Sequence, residues 1–431
     1  MTPQSSITVA APIAPGRVPE LRALLATMND VPGRANPSNP LLPFGDFERL
    51  HFARLLVLDD QTLGDLAAYG QVLVEAPTYL ALLFDCDGPA EAQLEELAAR
   101  AGAGLRQIFG HCQGFDDQGD LVGYLKAHRL PEAATYVNWI GRTTRQIREE
   151  AALRRALRGY LDAQADSLGP PEDTRRALRA FADGELRAGR LRLTPEEPTP
   201  LGHRLREVAH LVGVPLAGLI LLPLLLVYLP FFALELRRRE SHDPEIAPRP
   251  DPEHVKRLDV LEDHSLTNQF SAMGTIKPGL FRRLLLDAAL LVLDYSTRHL
   301  YARGHLARVG TIHFARWAFL PGRRRLLFAS NYDGSLDSYM DDFINKVAFG
   351  LNLVFSNGVG YPSTRWLVLG GARDEQKFKY YIRRHELPTE VWYDAHPGLT
   401  AVELRRNAAV RAGLAAAALS DPAAAAWLAL I

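Results

Sequence analysis

The chain has 431 residues, of which 47% are apolar, and it carries 49 basic and 50 acidic side chains for a net charge of −1. This length suffices for about two or three domains, and the balanced charge excludes the basic excess that a nucleic-acid partner normally requires. Two cysteines, Cys86 and Cys112, do not make a disulfide framework. The N-terminal residues lack the basic and apolar regions of a secretory signal, so we expect a cytoplasmic setting.

Two similar stretches of sequence divide the chain into halves. The segment LHFAR at 50–54 recurs as IHFAR at 312–316, and residues 124–148 resemble residues 381–405. Further pairs recur at an offset of 246 residues: Asp87 with Asp333, Gly104 with Gly350, Phe109 with Phe355, and Gly114 with Gly360. Because the matches keep the same order, they predict an internal duplication.

In the first half, the pattern predicts a strand, a helix, two strands, a helix and a closing strand. The first strand runs from Ile7 to Ile13 and precedes a Pro-Gly turn, where proline favours the start of a helix. The HFAR strand follows, and then a strand that ends in the Asp-Gly turn at Asp87. Apolar residues at helical spacing predict a long helix over 89–109.

The stretch between the halves, 151–262, is predicted to be a helical insertion. Its first part, up to about residue 205, is polar and rich in arginine at regular spacing, which is typical of a solvated helix. The 24 residues 211–234 carry no charge and are long enough to cross a bilayer as a helix. A buried core helix is the alternative, but a soluble helix usually keeps a polar face, and this segment has none.

Arginines and prolines predict how the apolar segment meets the membrane. Arginines flank it on both sides, which favours a cytoplasmic position for both ends. Pro215, Pro223 and Pro230 interrupt helical hydrogen bonding. We therefore expect a helix-break-helix that dips into one leaflet, while a single span and burial in protein or in an oligomer interface stay open. The apolar helix predicted over 280–301 extends the same membrane-facing surface.

The second half repeats the order of strands and helices. A strand from Phe270 to Ile276 opens it, and a helix over 335–355 follows the Asp-Gly turn. The order βαββαβ is the ferredoxin-like motif, and two such units can bury the bare faces of their sheets against each other. The predicted fold class is α+β, with tandem duplicated ferredoxin-like units at 1–150 and 263–431 packed as a pseudo-dimeric α+β barrel and a helical, membrane-associating insertion between them.

Polar side chains are concentrated in the second half, so we place the candidate site there. His313 and Arg316 are three residues apart on one strand, which predicts that they point to opposite faces and that only one faces a given cavity. One of them would contact a cofactor or substrate. The counterparts His51 and Arg54 in the first half leave a structural hydrogen-bonding pair as the alternative.

The remaining candidates lie in turns around the same strands. Asp333 and Asn331 belong to the turn SNYDG and are candidate catalytic residues, although an aspartate there often only forms the turn. His264 stands beside two carboxylates and is a candidate base, metal ligand or haem ligand, with an exposed loop histidine as the alternative. His396 follows the last strand. His264 and His313 are the candidate metal ligands.

Two ferredoxin-like halves with an NYDG turn after a strand resemble the dimeric α+β-barrel superfamily and, distantly, the dye-decolourising peroxidases. The resemblance implies haem bound between sheet and helices. It also gives Asp333 the place of the aspartate in a GxxDG motif that assists peroxide cleavage. Asp333 and Gly334 match the last two positions of that motif, while Ser330 stands where its first glycine is expected.

Three functions fit these patterns. The first is a membrane-associated, haem-dependent peroxidase or oxygenase-like enzyme that acts on a lipophilic small molecule. His264, His313 or His396 would bind the iron, Asp333 would move protons, and Arg316 would stabilise negative charge. The second is a non-catalytic membrane-bound module that binds a lipid or a partner. The third is cofactor-free chemistry on a small hydrophobic molecule.

Other enzyme classes lack their sequence signals. No GxGxxG motif in a strand–helix setting, P-loop, HExxH or GxSxG motif occurs. We expect the chain to be attached to the cytoplasmic face of the cell membrane through 211–234, with the bilayer as its main partner. Whether it is an enzyme and whether it forms a homo-oligomer stay open.

Overall fold

The computed structural model has a mixed α+β fold. It describes the chain apart from residues 72–75, 166–168, 302–303, 305 and 307–308. The strands are β1 (Gln4–Pro12), β2 (Asn29–Val31), β3 (Arg34–Ala35), β4 (Leu50–Leu58), β5 (Tyr79–Asp87), β6 (Arg129–Leu130), β7 (Glu132–Val137), β8 (Thr267–Thr275), β9 (Ile312–Phe319), β10 (Arg325–Asp333), β11 (Thr364–Arg365), β12 (Leu369–Gly370) and β13 (Thr389–Asp394). The helices are α1 (Val18–Ala26), α2 (Ala90–Phe109), α3 (Leu121–Ala127), α4 (Thr144–Ala163), α5 (Pro171–Arg187), α6 (Leu201–His242), α7 (Pro252–Asp259), α8 (Leu280–His299), α9 (Leu336–Phe355), α10 (Glu375–His385), α11 (Ala401–Ala415) and α12 (Asp421–Leu428).

The longer strands form two antiparallel sheets. The strand order is β13-β4-β5-β1-β6 in the first sheet and β7-β9-β10-β8 in the second. Strand β7 directly follows β6 in the chain but pairs with β9 in the second sheet, and β13 pairs with β4 in the first. Each half of the chain therefore contributes a strand to the sheet built mainly by the other half.

The two sheets pack face to face, and helices cover their outer faces. Helices α1 and α2 lie on the first sheet, whereas α8, α9 and α10 lie on the second. Between the sheets, Leu56 packs in one cluster with Met273 and Leu327. At one edge, the N–H of Leu387 donates to the carbonyl oxygen of Ser271 at 2.8 Å, so the segment before β13 is bonded to β8.

Four helices outside the sheets form a separate apolar cluster. Helices α4, α5, α11 and α12 meet around Leu157, Leu178, Val410 and Trp427. The predicted boundary between residues 150 and 151 lies in the middle of α4. Helix α4 thus joins the first half of the chain to the predicted insertion without a break.

Helix α6 carries the predicted membrane segment and is continuous over its 42 residues. The expected break at Pro215, Pro223 and Pro230 is wrong, because all three prolines lie inside the helix. Each proline removes only one backbone hydrogen bond, and apolar helices tolerate that loss. In the described residues, α6 is the one helix long and apolar enough to cross a membrane; its most apolar window has a mean hydropathy of 2.4 and none of it is buried.

Candidate functional site

A β-bulge in each sheet decides which way the predicted site residues face. In the second sheet, Asn331 lies opposite Phe314 and Tyr332 lies opposite Ile312, so His313 is the extra residue. A bulge shifts the alternation of side chains by one position. The prediction that His313 and Arg316 point to opposite faces is therefore wrong, and both side chains lie between the sheets.

The first sheet has the same irregularity at the matching position. Leu50 lies opposite Cys86 and Phe52 lies opposite Asp85, which leaves His51 as the extra residue. His51 and Arg54 consequently point between the sheets as well, where both are buried. The interior contains a layer of arginines and, beside it, a layer of histidines.

In the arginine layer, Arg54 of the first sheet reaches across to the second. Its guanidinium group donates to the carbonyl oxygen of Phe270 at 2.8 Å, to Oγ of Ser271 at 2.9 Å and to the carbonyl oxygen of Ser330 at 2.9 Å. It also donates to Oδ1 of Asn331. Burial, and then repulsion by Arg316, lower the pKa of Arg54 to about 9.

Arg316 of the second sheet reaches across to the first sheet. It donates to the carbonyl oxygens of Ile7 at 2.7 Å and Phe84 at 3.2 Å, and it forms an ion pair with Asp85. Asn331 Nδ2 donates to the other oxygen of Asp85 at 3.2 Å. Two of the predicted catalytic residues, Arg316 and Asn331, are thus brought together, and their polar atoms bond to protein groups that hold the two sheets in register.

The histidine layer contains two similar His–Asp pairs. His51 Nε2 lies 2.9 Å from Asp87 Oδ1, and His313 Nε2 lies 2.5 Å from Asp333 Oδ1. The second oxygen of Asp87 accepts the N–H of Thr144, the first residue of α4, and the second oxygen of Asp333 accepts the N–H of Ala401, the first residue of α11. Each carboxylate therefore orients one imidazole and binds the positive end of one helix.

The two halves differ at the centre of this layer. His396 Nε2 lies 3.5 Å from His51 Nδ1, and its Nδ1 lies 3.1 Å from Asp394 Oδ1. The residue that aligns with His396 in the first half is Trp139, whose ring centroid lies 4.6 Å from that of His313. Burial lowers the pKa of His396, which favours its neutral form.

His264 lies apart from the other candidates. It stands in an exposed loop, and its Nε2 bonds to the carbonyl oxygen of Val260 at 2.7 Å. In the part of the chain that the structure describes, no contact joins it to His313 or His396, and no three His, Cys, Asp or Glu side chains are grouped to hold a metal ion. His264 is exposed whereas His313 is buried, and the metal pair of these two residues stays a prediction.

Aromatic side chains pack around the histidines of this layer. His313 and His396 pack edge-on against Phe52, with ring centroids 5.5 and 5.0 Å away, so one aromatic ring separates the two imidazoles from open space on that side. The cavity between the second sheet and its helices measures about 40 Å³, far below the several hundred Å³ of a typical cofactor pocket. His385 borders this cavity, and its buried ring nitrogen Nε2 has no hydrogen-bond partner among the described residues.

Sequence reasoning missed the partners that the first half contributes. The predicted site did not include Asp85, Asp87 or Arg54, because it was placed in the more polar second half of the sequence. The repeat itself contained the signal: an offset of 246 residues aligns Asp85 with Asn331, and it aligns Asp87 with Asp333.

A second candidate site is the exposed apolar surface formed by α6 and α8. Apolar side chains of α6 are exposed all round the helix, for example Leu219 and Val227. Helix α8 presents Leu284 and Leu291 to the outside while it packs on the second sheet. An uninterrupted exposed apolar surface of this size marks a site of contact with a membrane or another protein.

Both ends of the apolar segment are attached to the body of the protein. Near its start, Glu207 forms an ion pair with Arg298 of α8 at 3.3 Å, and the carbonyl oxygen of Leu211 accepts the hydroxyl of Tyr295 at 3.3 Å. Near its end, the buried carboxylate of Glu240 accepts the N–H groups of Trp366 and Leu367, both at 2.9 Å. Both ends of α6 are therefore held by the same body, while the residues between them are exposed.

Comparison with known proteins finds no match to the chain among family models, curated proteins or solved structures.

Proposed function

We propose that this chain is a monotopic membrane protein that binds the lipid surface of the cell membrane from the cytoplasmic side. The single observation that carries the proposal is that α6 is attached to one body at both ends while the apolar residues between those ends are exposed. An apolar surface of this kind is stable when it is immersed in lipid.

The contacts at both ends of α6 support attachment from one side. The apolar segment 211–234 is about 36 Å long at 1.5 Å per residue, which is slightly more than the hydrocarbon thickness of about 30 Å. A perpendicular crossing would place its two ends at opposite membrane surfaces. The contacts of Glu207 and Glu240 with the same body would then pull polar protein into the bilayer, at a high cost in free energy.

The arrangement of strands supports the interpretation as a duplicated α+β barrel. Strands β1, β4 and β5 of the first half correspond in order to β8, β9 and β10 of the second, and the closing strands β7 and β13 are exchanged between the sheets. The ion pair of Arg316 with Asp85 and the contact of Arg54 with Asn331 follow the same correspondence. We propose that the two halves arose by duplication and now act as one body.

A lipid-binding module fits this geometry better than a haem enzyme. The candidate catalytic residues Arg316, Asn331 and Asp333 already bond to protein groups, and the cavity beside the second sheet is small. The haem-dependent peroxidase or oxygenase stays a prediction that an absorption spectrum of the purified protein tests directly. A strong Soret band near 400 nm, a position expected of haem proteins generally, would reinstate it.

Cysteine labelling at the two ends of α6 tests the proposed topology. Gly202→Cys and Ser241→Cys each place a thiol at an exposed position, whereas the native Cys86 and Cys112 are buried, and burial raises the pKa of both thiols. A membrane-impermeant maleimide should label both variants in inside-out vesicles and neither in intact cells.

Two outcomes would contradict the proposed topology. Labelling of one variant from each side would establish a single span. Release of the wild-type chain from membranes by alkaline carbonate would show that α6 is not immersed in lipid. The cysteine-unmodified parent is the control for reaction at Cys86 and Cys112.

A further inference from the structure

A basic cavity lies at the start of α8, at the edge of the apolar surface. It has a volume of about 300 Å³, and the cationic side chains that line it are Lys277, Arg283, Arg324 and Arg325. No carboxylate lines it among the described residues. A concave site with one sign of charge concentrates ions of the opposite sign.

The positive charge in this cavity is only partly neutralised. Lys277 Nζ bonds to Asp243 at 2.7 Å, but Asp243 is shared with Arg282. In the described part of the chain, Arg283 and Arg324 have no carboxylate within 4.0 Å, and both are exposed at the rim.

Arg325 is the buried arginine among the described residues that line the cavity. Its side chain is buried, with 7% of the residue exposed, and it has no carboxylate partner among the described residues. Its guanidinium group donates to the carbonyl oxygen of Pro77 at 3.1 Å and lies 5.5 Å from the ring centroid of Tyr79. A charge-assisted hydrogen bond to an anion stabilises a buried guanidinium group, and an anion bound in the cavity would supply one.

The backbone of α8 adds to the positive electrostatic potential in the cavity. The helix begins after Gly279, which has a φ of +104°, and no described side chain caps the first N–H groups of the helix. A helix of 20 residues presents the positive end of its dipole there. Phosphate groups bind well where free N–H groups and arginines converge.

The position of the cavity indicates where the anion comes from. Leu280 and Leu284 of α8 are exposed beside it, and Arg239 of α6 lies against Gly279. If α6 is immersed in one leaflet, the cavity faces the layer of lipid headgroups. We propose that it binds the phosphate of an anionic phospholipid headgroup, and this inference rests on the proposed attachment through α6.

Thermal unfolding in mixed micelles tests the proposal, because a ligand that binds only the folded state raises the unfolding midpoint. The wild-type chain in neutral detergent is titrated with phosphatidylglycerol and, in parallel, with phosphatidylcholine. Phosphatidylglycerol should raise the midpoint and phosphatidylcholine should not. Arg324→Gln and Arg283→Gln, both exposed and therefore compatible with folding, should each require about tenfold more phosphatidylglycerol, since each removes a charge-assisted hydrogen bond.

Arg323→Gln is the matched control, because Arg323 is exposed in the same turn but pairs with Asp287 and does not line the cavity. It should respond to phosphatidylglycerol as the wild type does. Equal losses in Arg324→Gln and Arg323→Gln would show general surface attraction and overturn the proposal. So would equal responses of the wild type to the two lipids.

A titration with inorganic phosphate separates lipid from soluble ligand. If phosphate alone raises the midpoint as strongly as phosphatidylglycerol at equal phosphate concentration, the cavity serves a soluble anion and the lipid source is refuted. In mixed micelles the cavity has access to lipid whether or not α6 attaches the chain to membranes in cells. Failure of carbonate-resistant attachment would therefore refute the proposed function without changing the micelle result.

Discussion

The arginine layer between the sheets makes a prediction about stability that also bears on catalysis. Asp85→Asn keeps the shape of the side chain and removes its charge. Arg316 would then be buried against neutral acceptors only, namely the carbonyl oxygens of Ile7 and Phe84 and the amide oxygen of the substituted side chain. Arg54 would lose the nearby negative charge that favours its protonated form.

The expected loss is large because both partners are almost fully buried. Arg316 is 3% exposed and Asp85 is 1% exposed. Removal of one partner of a buried ion pair costs about 3–5 kcal/mol, which is a substantial part of a total stability of about 5–15 kcal/mol. The double variant Asp85→Asn with Arg316→Met removes the stranded charge as well, so it should cost less than the sum of its single variants.

Urea unfolding in neutral detergent measures these free energies. The fluorescence of the buried Trp139, Trp317 and Trp392 reports on the sheets and the layers between them, and linear extrapolation gives the free energy of unfolding in water. Glu48→Gln is the control, because it removes an ion pair with Arg145 that is exposed to solvent. This control should leave the unfolding midpoint unchanged.

A different outcome would refute the structural interpretation of the layer. If Asp85→Asn unfolds at the same urea concentration as the wild type, or at a higher one, then the layer does not hold the sheets together. Increased stability after a polar substitution is typical of functional sites. Arg316 and Asn331 would then again be the best candidates for catalysis.

Three further predictions concern other parts of the fold. Burial lowers the pKa of His396 in the folded chain, whereas the unfolded chain binds a proton below about pH 6.5. The stability of the fold should therefore fall when the pH is lowered below that value. His396→Phe should reduce this fall, measured as the urea unfolding midpoint at each pH. Gly104→Ala places a Cβ 1.8 Å from the carbonyl oxygen of Leu41 and should lower the free energy of unfolding in urea by about 2 kcal/mol. At the aligned position, Gly350→Ala is the control, because its Cβ meets nothing within 4 Å and should not destabilise the fold. Glu240→Ala leaves the buried N–H group of Leu367 and the partly buried N–H group of Trp366 without an acceptor. The resulting loss of about 2 kcal/mol should appear as faster proteolysis after α6.

Local sequence pattern was sufficient to predict the main helices and strands. The helices predicted over 89–109 and 335–355 are Ala90–Phe109 and Leu336–Phe355 in the structure. Their apolar residues recur at helical spacing, so neighbouring residues alone contain the signal. The α+β class followed from the order of these elements, and the long apolar helix followed from its composition.

The candidate site was predicted only in part. Arg316, Asn331, His313 and Asp333 were identified from the more polar second half, and the structure brings them into two adjacent layers. Their partners in the first half, such as Asp85, were missed because they lie more than 200 residues away in the chain. Nothing within one segment of sequence indicates which distant segment it will contact.

The sequence by itself determined the order of the elements, the repeated motifs and the length of the apolar segment, because these depend on residues that are close together in the chain. Tertiary structure alone decided three other features: the exchange of β7 and β13 between sheets, the bulge that turns His313 to the same side as Arg316, and the continuity of α6 through its prolines. Strand pairing and register depend on contacts between distant residues, and one extra residue in a strand reverses the side on which all following side chains lie.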